Sequence, residues 1–419
     1  MSIVISHPTG NQNVRAVLNS FSETELLTRF ITTVAINARA QWLNFLPNRF
    51  RQECLRRTYS LPAALVTTHP YLELARIGLS AFGFIKWVQG EYKWASIDSV
   101  YKNLDMVTAK KLSSFSSKYN VSAVYAYEDG AFDTFSKAKK LGLKCIYDLP
   151  IAYWETSRKL LLDEAERLPQ WVNTLGGGIL DSRMKLERKT AELELADIII
   201  TPGKFVSDSL PIWAKNKKII TSPFGSPMMI DKSSRGLKNR KKKQNQRLRV
   251  LFVGSMGQRK GLGDLFNAIK LLNCSNIELV VLGAMLDRSD FYRKEFPDFT
   301  YEIGRPHKQV LELMQTCDVF CLPSIVEGRA LVMQEAMSQG LPLIITPNTG
   351  GDDLILEEQT GFLVPIRSPQ AIAEKLSWFL DNRSKLKEMS VLAQEHAGTY
   401  TWEKYGMNIV SEIKESLCY

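Results

Sequence analysis

The sequence predicts an α/β protein built as two domains, each around a mostly parallel sheet. Three observations carry this expectation. At 419 residues the chain is too long for one ordinary α/β domain and suits two of about 200 residues each. Short apolar strands alternate with helical stretches, cleanly after residue 247 and less cleanly before it. That is the pattern of βαβ units with helices on both faces of a sheet. Between the two halves, residues 232–249 carry nine Lys or Arg and no Asp or Glu. Almost nothing there is apolar, so the stretch cannot bury itself and reads as a solvated linker.

In the first half, residues 3–5 form a first strand, followed by strands at 121–125, 143–147, 198–201 and 218–221. Residues 62–94 are rich in aromatic and apolar side chains. From Pro70 onward Leu72, Ala75, Leu79 and Phe82 recur at helical spacing. Such a stripe predicts a helix packed on a core, with an acceptor-lipid or membrane-facing surface as the alternative. In the second half, strands are expected at 248–253, 277–282, 299–303, 319–322 and 343–346, and helices at 262–272, 307–316 and 331–339. The expected boundaries are a first domain at 1–231, a basic linker at 232–246, a second domain at 247–395 and a C-terminal helical segment at 396–419. Ligands of such sheets bind beyond the carboxyl ends of the strands.

Composition narrows the class. No apolar run reaches the ~18–20 residues of a spanning helix; residues 61–88 come closest, and His69, Glu73, Arg76 and Lys86 interrupt them. Residues 1–20 lack a basic start followed by an apolar region, so no signal peptide is expected. Six cysteines form no CxxC pair, which predicts a reduced, cytoplasmic setting. Cys317 and Cys321 flank an apolar run and read as strand residues rather than metal ligands. The net charge is +7 over 1–231, +9 over 232–249 and −6 over 250–419, so an anionic partner would meet the first half and the linker. Two readings of the linker stand: a soluble connector, or a peripheral contact with anionic lipid on an inner membrane face. No nucleic-acid module or aromatic interleaving accompanies it, so no nucleic-acid partner is expected.

Two segments carry chemistry. After the 248–253 strand comes Gly254-Ser255-Met256-Gly257-Gln258-Arg259-Lys260-Gly261. Glycine lets backbone approach a ligand closely, and Arg and Lys supply fixed positive charge for phosphate. A diphosphate leaving group needs such charge as its bond breaks. The spacing matches neither GxGxxG nor GxxxxGK[ST], and a solvated Gly-rich loop is the plain alternative. After the 319–322 strand comes Glu327-Gly328-Arg329-Ala330-Leu331-Val332-Met333-Gln334-Glu335. A carboxylate there can bond paired sugar or ribose hydroxyls, and the free N–H groups of the new helix can hold phosphate. Alone, both acids also read as ordinary helix-start and helix-surface residues.

Taken together, the two segments resemble glycosyltransferase family 4, the large retaining family of GT-B fold. The resemblance rests on residues 250–261, on Pro323-Ser324-Ile325-Val326-Glu327-Gly328, and on Glu335-Ala336-Met337. Gly340-Leu341-Pro342, Gly350-Gly351 and Thr360-Gly361-Phe362-Leu363-Val364 follow in the family's order and spacing. It covers 248–380 strongly and reaches weakly to 195–202. It implies a GT-B fold: two Rossmann-like domains facing across a cleft, with the helix at 402–417 crossing back to the first. It implies retaining transfer of a sugar, of hexosyltransferase type, from a nucleotide-sugar donor to a glycan or lipid-linked acceptor, in surface polysaccharide assembly. The state would be oxocarbenium-like, with the leaving phosphate helping to deprotonate the acceptor. By the same resemblance Arg259 and Lys260 would bind the diphosphate, Glu335 the ribose, and Glu327 the transferred sugar. Backbone amides of Ala330, Leu331 and Val332 would hold the distal phosphate, and the loops of Gly254 and Gly10 would face the donor. No cofactor and no metal is then expected; Asp352-Asp353 is an adjacent pair rather than a DxD motif.

The chain departs from the family at three places. Ala330 stands where many members have Gly, and Arg329 where an aromatic is common. Asp148, in Tyr147-Asp148-Leu149-Pro150, falls where many members place a His, and is read as taking over a catalytic sugar contact. His7, after the first strand, reads as catalytic or as a turn histidine. Two other classes stay open: a GT-B epimerase or hydrolase of the UDP-N-acetylglucosamine 2-epimerase type, and a non-catalytic nucleotide-sugar-binding protein. A Rossmann dehydrogenase is disfavoured by the missing GxGxxG.

Overall fold

The structure, a computed structural model, describes residues 1–45, 51, 54–227 and 247–417; the linker expected at 232–246 lies outside them. Two all-parallel sheets organise the chain. The first contains β1 (Ile3–Ser6), β2 (Leu27–Thr32), β3 (Val66–Thr68), β4 (Ala123–Tyr127), β5 (Lys144–Asp148), β6 (Ile198–Thr201) and β7 (Lys218–Thr221), in the order β3-β2-β1-β4-β5-β6-β7. The second contains β8 (Leu248–Val253), β9 (Ile277–Leu282), β10 (Phe299–Glu302), β11 (Val319–Leu322), β12 (Leu343–Ile345) and β13 (Gly361–Leu363), in the order β10-β9-β8-β11-β12-β13. The central strands β1 and β11 are buried at every residue, because helices cover both faces and neither face can be polar.

In each sheet the chain reverses its direction of travel at one place. The reversal lies between β1 and β4 in the first sheet and between β8 and β11 in the second. Loops leaving adjacent strands at such a point diverge to opposite faces and open a crevice. The Gly254–Gly261 turn leaves β8 and the Pro323–Gly328 loop leaves β11, so both sequence motifs start at the second sheet's switch point.

Sequence reading missed β2, β3 and the Gln12–Glu23 helix. In Leu27-Thr28-Arg29-Phe30-Ile31-Thr32 polar residues break the apolar run, yet Leu27, Phe30, Ile31 and Thr32 are buried. The C-terminal helix Trp402–Leu417 lies against the Gln12–Glu23 helix, and its Tyr405, Ile409, Val410 and Ile413 complete the first domain's core. Among the described residues no helix is long and apolar enough to cross a membrane.

The stripe beginning at Pro70 does form a helix, Tyr71–Ala81, but its expected packing on a core is overturned. The one buried residue of that helix is Glu73. It lies 2.6 Å from Arg57 and 2.7 Å from Arg76. A carboxylate clasped by two guanidiniums occupies the inward face, because a buried charge must be paired. None of the stripe's apolar residues is fully buried: Leu72, Ala75 and Leu79 are half-buried, and Phe82 is 82% exposed.

A segment of the first half is built into the second core. Trp171, 1% exposed, packs edge-on against Phe266, Phe291 and Tyr292 within the cluster formed by β8–β12. Glu164, fully buried, receives Gln258 Nε2 at 2.7 Å and Arg367 Nε at 2.8 Å from the second domain, besides Arg167 from its own helix. Truncating a fully buried indole leaves a cavity as well as losing its transfer free energy. Trp171→Ala is therefore expected to cost about 3–5 kcal/mol. Chemical denaturation followed by circular dichroism measures it, and a loss below about 1 kcal/mol would show that the indole is not part of the second core.

Candidate active site between the domains

The turn after β8 and the loop after β11 are bonded to each other before any ligand is considered. Gly261 has φ +74° and caps the short helix Gln258–Lys260. A Cβ there would lie 2.0 Å from the Pro323 carbonyl oxygen, so the close approach of the two segments requires glycine. The Arg259 carbonyl accepts from Ile325 N at 2.9 Å, and Arg259 Nη1 donates to the Val326 carbonyl at 3.0 Å. The Lys260 side chain crosses Gly254, whose missing Cβ would meet Lys260 Cδ at 2.7 Å.

At the end of this arrangement Glu327 Oε1 receives Lys260 Nζ at 2.5 Å and Arg259 Nη1 at 2.9 Å. Burial pushes the Glu327 carboxyl up, but Lys260 and Arg259 more than reverse it and hold the group below the usual carboxylate range. The cluster is thus an ionised carboxylate between two cations, with one positive charge in excess. Gly254, Arg259, Lys260 and Glu327 are brought together as one unit.

Four other sequence candidates lie close by along the chain. Ala330 is the N-cap of the Leu331–Ser338 helix, and its own N–H is used by the Thr349 carbonyl at 3.3 Å. The Leu331 and Val332 amides, in the first turn, have no partner among the described residues. Leu331 packs against the first domain's core, so this helix end sits at the domain junction. Glu335, one turn further on, is bonded to His307 Nε2 at 3.0 Å. His307 begins a helix in sequence reading, and nothing in its local pattern marks it as a partner of Glu335.

The first domain contributes the opposite wall. A cavity of about 480 Å³ is lined by Tyr101, Tyr127, Glu128, Asp129, Pro150 and Lys185 on one side and by Glu327, Gly328 and Arg329 on the other. Gly328 touches the first domain so closely that a Cβ would lie 1.8 Å from the Pro150 carbonyl oxygen. Glu128 and Asp129 follow β4, at the first sheet's switch point. Lys189 bonds Glu128 at 2.8 Å, and Arg188 bonds Asp129 at 2.8 Å. Burial pushes Asp129 up, yet Lys189, Lys185 and Arg188 together hold it below its ordinary value. Sequence reading missed this wall, although its place just beyond the carboxyl end of a buried strand is where such sheets bind ligands.

Arg329, the departure from the family pattern, is 4% exposed. Its guanidinium grips Asp353 through two bonds, at 2.6 and 3.1 Å, and donates to the Gly350 carbonyl at 3.0 Å and to Gln334 Oε1 at 3.0 Å. It fixes the loop behind Glu327.

The remaining candidates lie elsewhere. Gly10 lines a separate cavity of about 520 Å³ with Arg15, Arg56 and Arg57, not the one reached by Glu327. Asp148 ends β5 and is 2% exposed. Its carboxyl accepts from Tyr125 Oη at 2.6 Å inside the first domain and does not line the cavity described above. His7 is fully buried, edge-on to Tyr127 at 4.4 Å. Its Nδ1 accepts from Thr9 N at 3.1 Å, and burial lowers its pKa to about 3, so the ring is neutral at physiological pH.

Residues 234–396 match the family model described as glycosyl transferases group 1. The capsular polysaccharide biosynthesis glycosyltransferase CapM of Staphylococcus aureus is 26% identical over 219 residues, covering 49% of this chain and 56% of that protein. The chain spans between about a quarter and just over half the length of the curated relatives it matches. Among solved structures, sucrose-phosphate synthase from Thermosynechococcus elongatus superposes with a TM-score of 0.65 at 15% identity, over 100% of this chain and 99% of that one. Anabaena HepE in complex with UDP-glucose gives a TM-score of 0.58 at 14% identity, over 99% of this chain and 100% of that one. At such identities the likeness shows the fold, and the fold is GT-B.

The Asp148 environment gives a pH prediction. Burial pushes this carboxyl from the ordinary value of 3.8 up to about 7. The folded state therefore holds a proton that the unfolded state releases. This contribution to stability is fully present below about pH 4 and is lost as pH rises towards about 7. Asp148→Asn, which keeps an acceptor for Tyr125, should gain stability relative to the parent between pH 4 and 8. Urea melts of both proteins at the two pH values test this, and a difference that does not change with pH would show that Asp148 ionises normally.

Proposed function

We propose that the protein, whose residues 234–396 match the glycosyl transferases group 1 family model, transfers a sugar from a nucleotide-sugar donor to a glycan or lipid-linked acceptor. The observation that carries the reading is the Arg259–Glu327–Lys260 cluster at the second sheet's switch point, facing a cavity walled by the other domain. Such sheets bind nucleotides at this place, and two fixed cations beside a helix N-terminus suit a diphosphate. In this reading Lys260 and Arg259 stabilise the charge of the departing nucleotide, the amides of Leu331 and Val332 hold its distal phosphate, and Glu335 accepts from the ribose hydroxyls. Glu327, already ionised, contacts the sugar hydroxyls. Asp148 has no sugar contact in this reading, its carboxyl being bonded to Tyr125 inside the first domain.

The transfer is proposed to retain anomeric configuration, with the leaving phosphate taking the acceptor's proton and without a metal. The cavity's first-domain wall, with Tyr101 and the ion-paired acids, then receives the acceptor. A role in surface polysaccharide assembly fits the name of the capsular relative; the nine basic residues of 232–249 motivate the reading of a cytoplasmic protein in peripheral contact with anionic lipid. UDP is the first donor nucleotide to try, because a structural neighbour holds UDP-glucose.

Thermal unfolding with UDP, GDP, ADP and their sugars identifies the base. Ligand at about 100 times its dissociation constant adds about 2.7 kcal/mol of stability. Lys260→Ala and Glu335→Ala should remain folded and lose at least about tenfold in turnover, equivalent to about 1.4 kcal/mol of transition-state stabilisation. Full activity in folded Lys260→Ala would remove the phosphate role. Turnover of donor without acceptor would favour an epimerase or hydrolase.

A further inference from the structure

Residues 71–97 present an apolar surface that the proposed transfer does not use. Tyr71, Leu74, Phe82, Phe84, Ile85, Trp87, Tyr92, Trp94 and Ile97 are all exposed, from 41% at Ile85 to 82% at Phe82. A monomer rarely leaves so many large apolar side chains in water within one stretch, because each costs transfer free energy, and a contiguous patch of this kind marks an interaction site.

The surface is built rather than frayed. Ala95 N donates to the Trp87 carbonyl at 3.2 Å, and Ser99 Oγ to the Lys93 carbonyl at 2.7 Å. Ser96 Oγ donates to the Glu91 carbonyl at 3.2 Å, and the Glu91 carboxylate accepts from Ser182 N at 3.0 Å. Backbone and serine bonds thus clasp the base of the loop while its rings point away from the protein.

Its charge is one-sided. Lys86, Lys93 and Lys102 are exposed around the rings. Each of the four carboxylates in 71–106 is withdrawn: Glu73 and Asp105 are buried, Glu91 is held by Ser182, and Asp98 is paired with Lys185 at 2.9 Å. A second copy docking by a two-fold axis would bring these lysines against their own equivalents. Trp and Tyr with interspersed Lys are instead the side chains that settle at a lipid headgroup boundary, with apolar bodies in the acyl region and polar ends in water.

The surface is also continuous with the cleft. On the helix Ile97–Tyr119, Ile97, Asp98 and Tyr101 line the interdomain cavity. Ser99, Lys102 and Met106, on the neighbouring face, line a groove of about 560 Å³ with Tyr71 and Trp94. Adjacent faces of one helix therefore line the groove of the apolar surface and the cavity, and Ile97 belongs to both surface and cavity.

We propose that residues 71–97 dock on an anionic lipid bilayer, so that the acceptor reaches the cleft from the membrane while the second domain takes donor from solution. The placement of the acceptor rests on the glycosyltransferase reading; the docking surface does not.

The full chain is mixed with phosphatidylcholine vesicles, with or without phosphatidylglycerol, and pelleted at low and high salt. UDP-induced thermal shifts and sedimentation velocity are measured on the same samples. The wild type should pellet with the anionic vesicles only, and less at high salt. Phe84→Ser/Trp87→Ser should bind vesicles at least about tenfold more weakly, with the UDP shift and melting temperature unchanged. Lys86→Gln/Lys93→Gln/Lys102→Gln should weaken binding and flatten its salt dependence. The proposal is overturned if the wild type fails to pellet at low salt, or if Phe84→Ser/Trp87→Ser binds like wild type. It is equally overturned if the wild type self-associates and that variant does not, since the surface would then cover a second copy. Vesicle binding without any nucleotide shift would support the surface and count against the proposed function alone.

Discussion

A single carboxylate between two cations fixes the geometry on which the rest of the cleft depends. Glu327 holds Lys260 and Arg259, and so ties the turn after β8 to the loop after β11. Beyond the one-turn helix Gln258–Lys260, neither loop has regular structure to position it. The bond works because both loops leave the sheet at its switch point and because Gly261 lets their backbones meet. The next residue, Gly328, lies against the Pro150 carbonyl of the first domain. The loop after β11 therefore carries the cluster's carboxylate, lines the cavity and makes the contact between domains. Arg329 anchors that loop from behind through Asp353, which explains how an arginine serves here in place of an aromatic.

The domains are joined by more than that contact. Trp171 and Glu164 come from the first half of the chain, yet the indole lies in the second core and the carboxylate binds Gln258 and Arg367. On the other side Gln334 Nε2 donates to the Phe224 carbonyl at 2.7 Å and to Ser226 Oγ at 3.1 Å. Buried polar groups of this kind are satisfied only in one relative placement of the two halves, so they specify that placement as well as stabilise it.

What the sequence revealed and concealed follows from the range of the contacts. The strands of the second domain were legible because β8, β9, β11 and β12 are short apolar runs separated by helices or turns, and each carries its own signal. The residues of the Arg259–Glu327–Lys260 cluster could be picked out because Gly, Arg, Lys and Glu stand close together within two short stretches. The Asp129 wall was not legible, because its counter-charges come from Lys185, Arg188 and Lys189, more than 50 positions away. Helical spacing located the Tyr71–Ala81 helix but gave the wrong inward face, since periodicity cannot know that Glu73 meets Arg57. Asp148 stood at the right strand end for a sugar contact; only three-dimensional packing shows that Tyr125 occupies its carboxyl.

The account stands on the claim that the Arg259–Glu327–Lys260 cluster is a diphosphate site. The most direct test is a crystal structure with the nucleoside diphosphate that stabilises the protein most. The expected structure has the phosphates against Lys260, Arg259 and the amides of Leu331 and Val332, with the ribose on Glu335. Phosphates bound instead beside Arg15 and Arg56, with Glu327 still closed on Lys260, would contradict it.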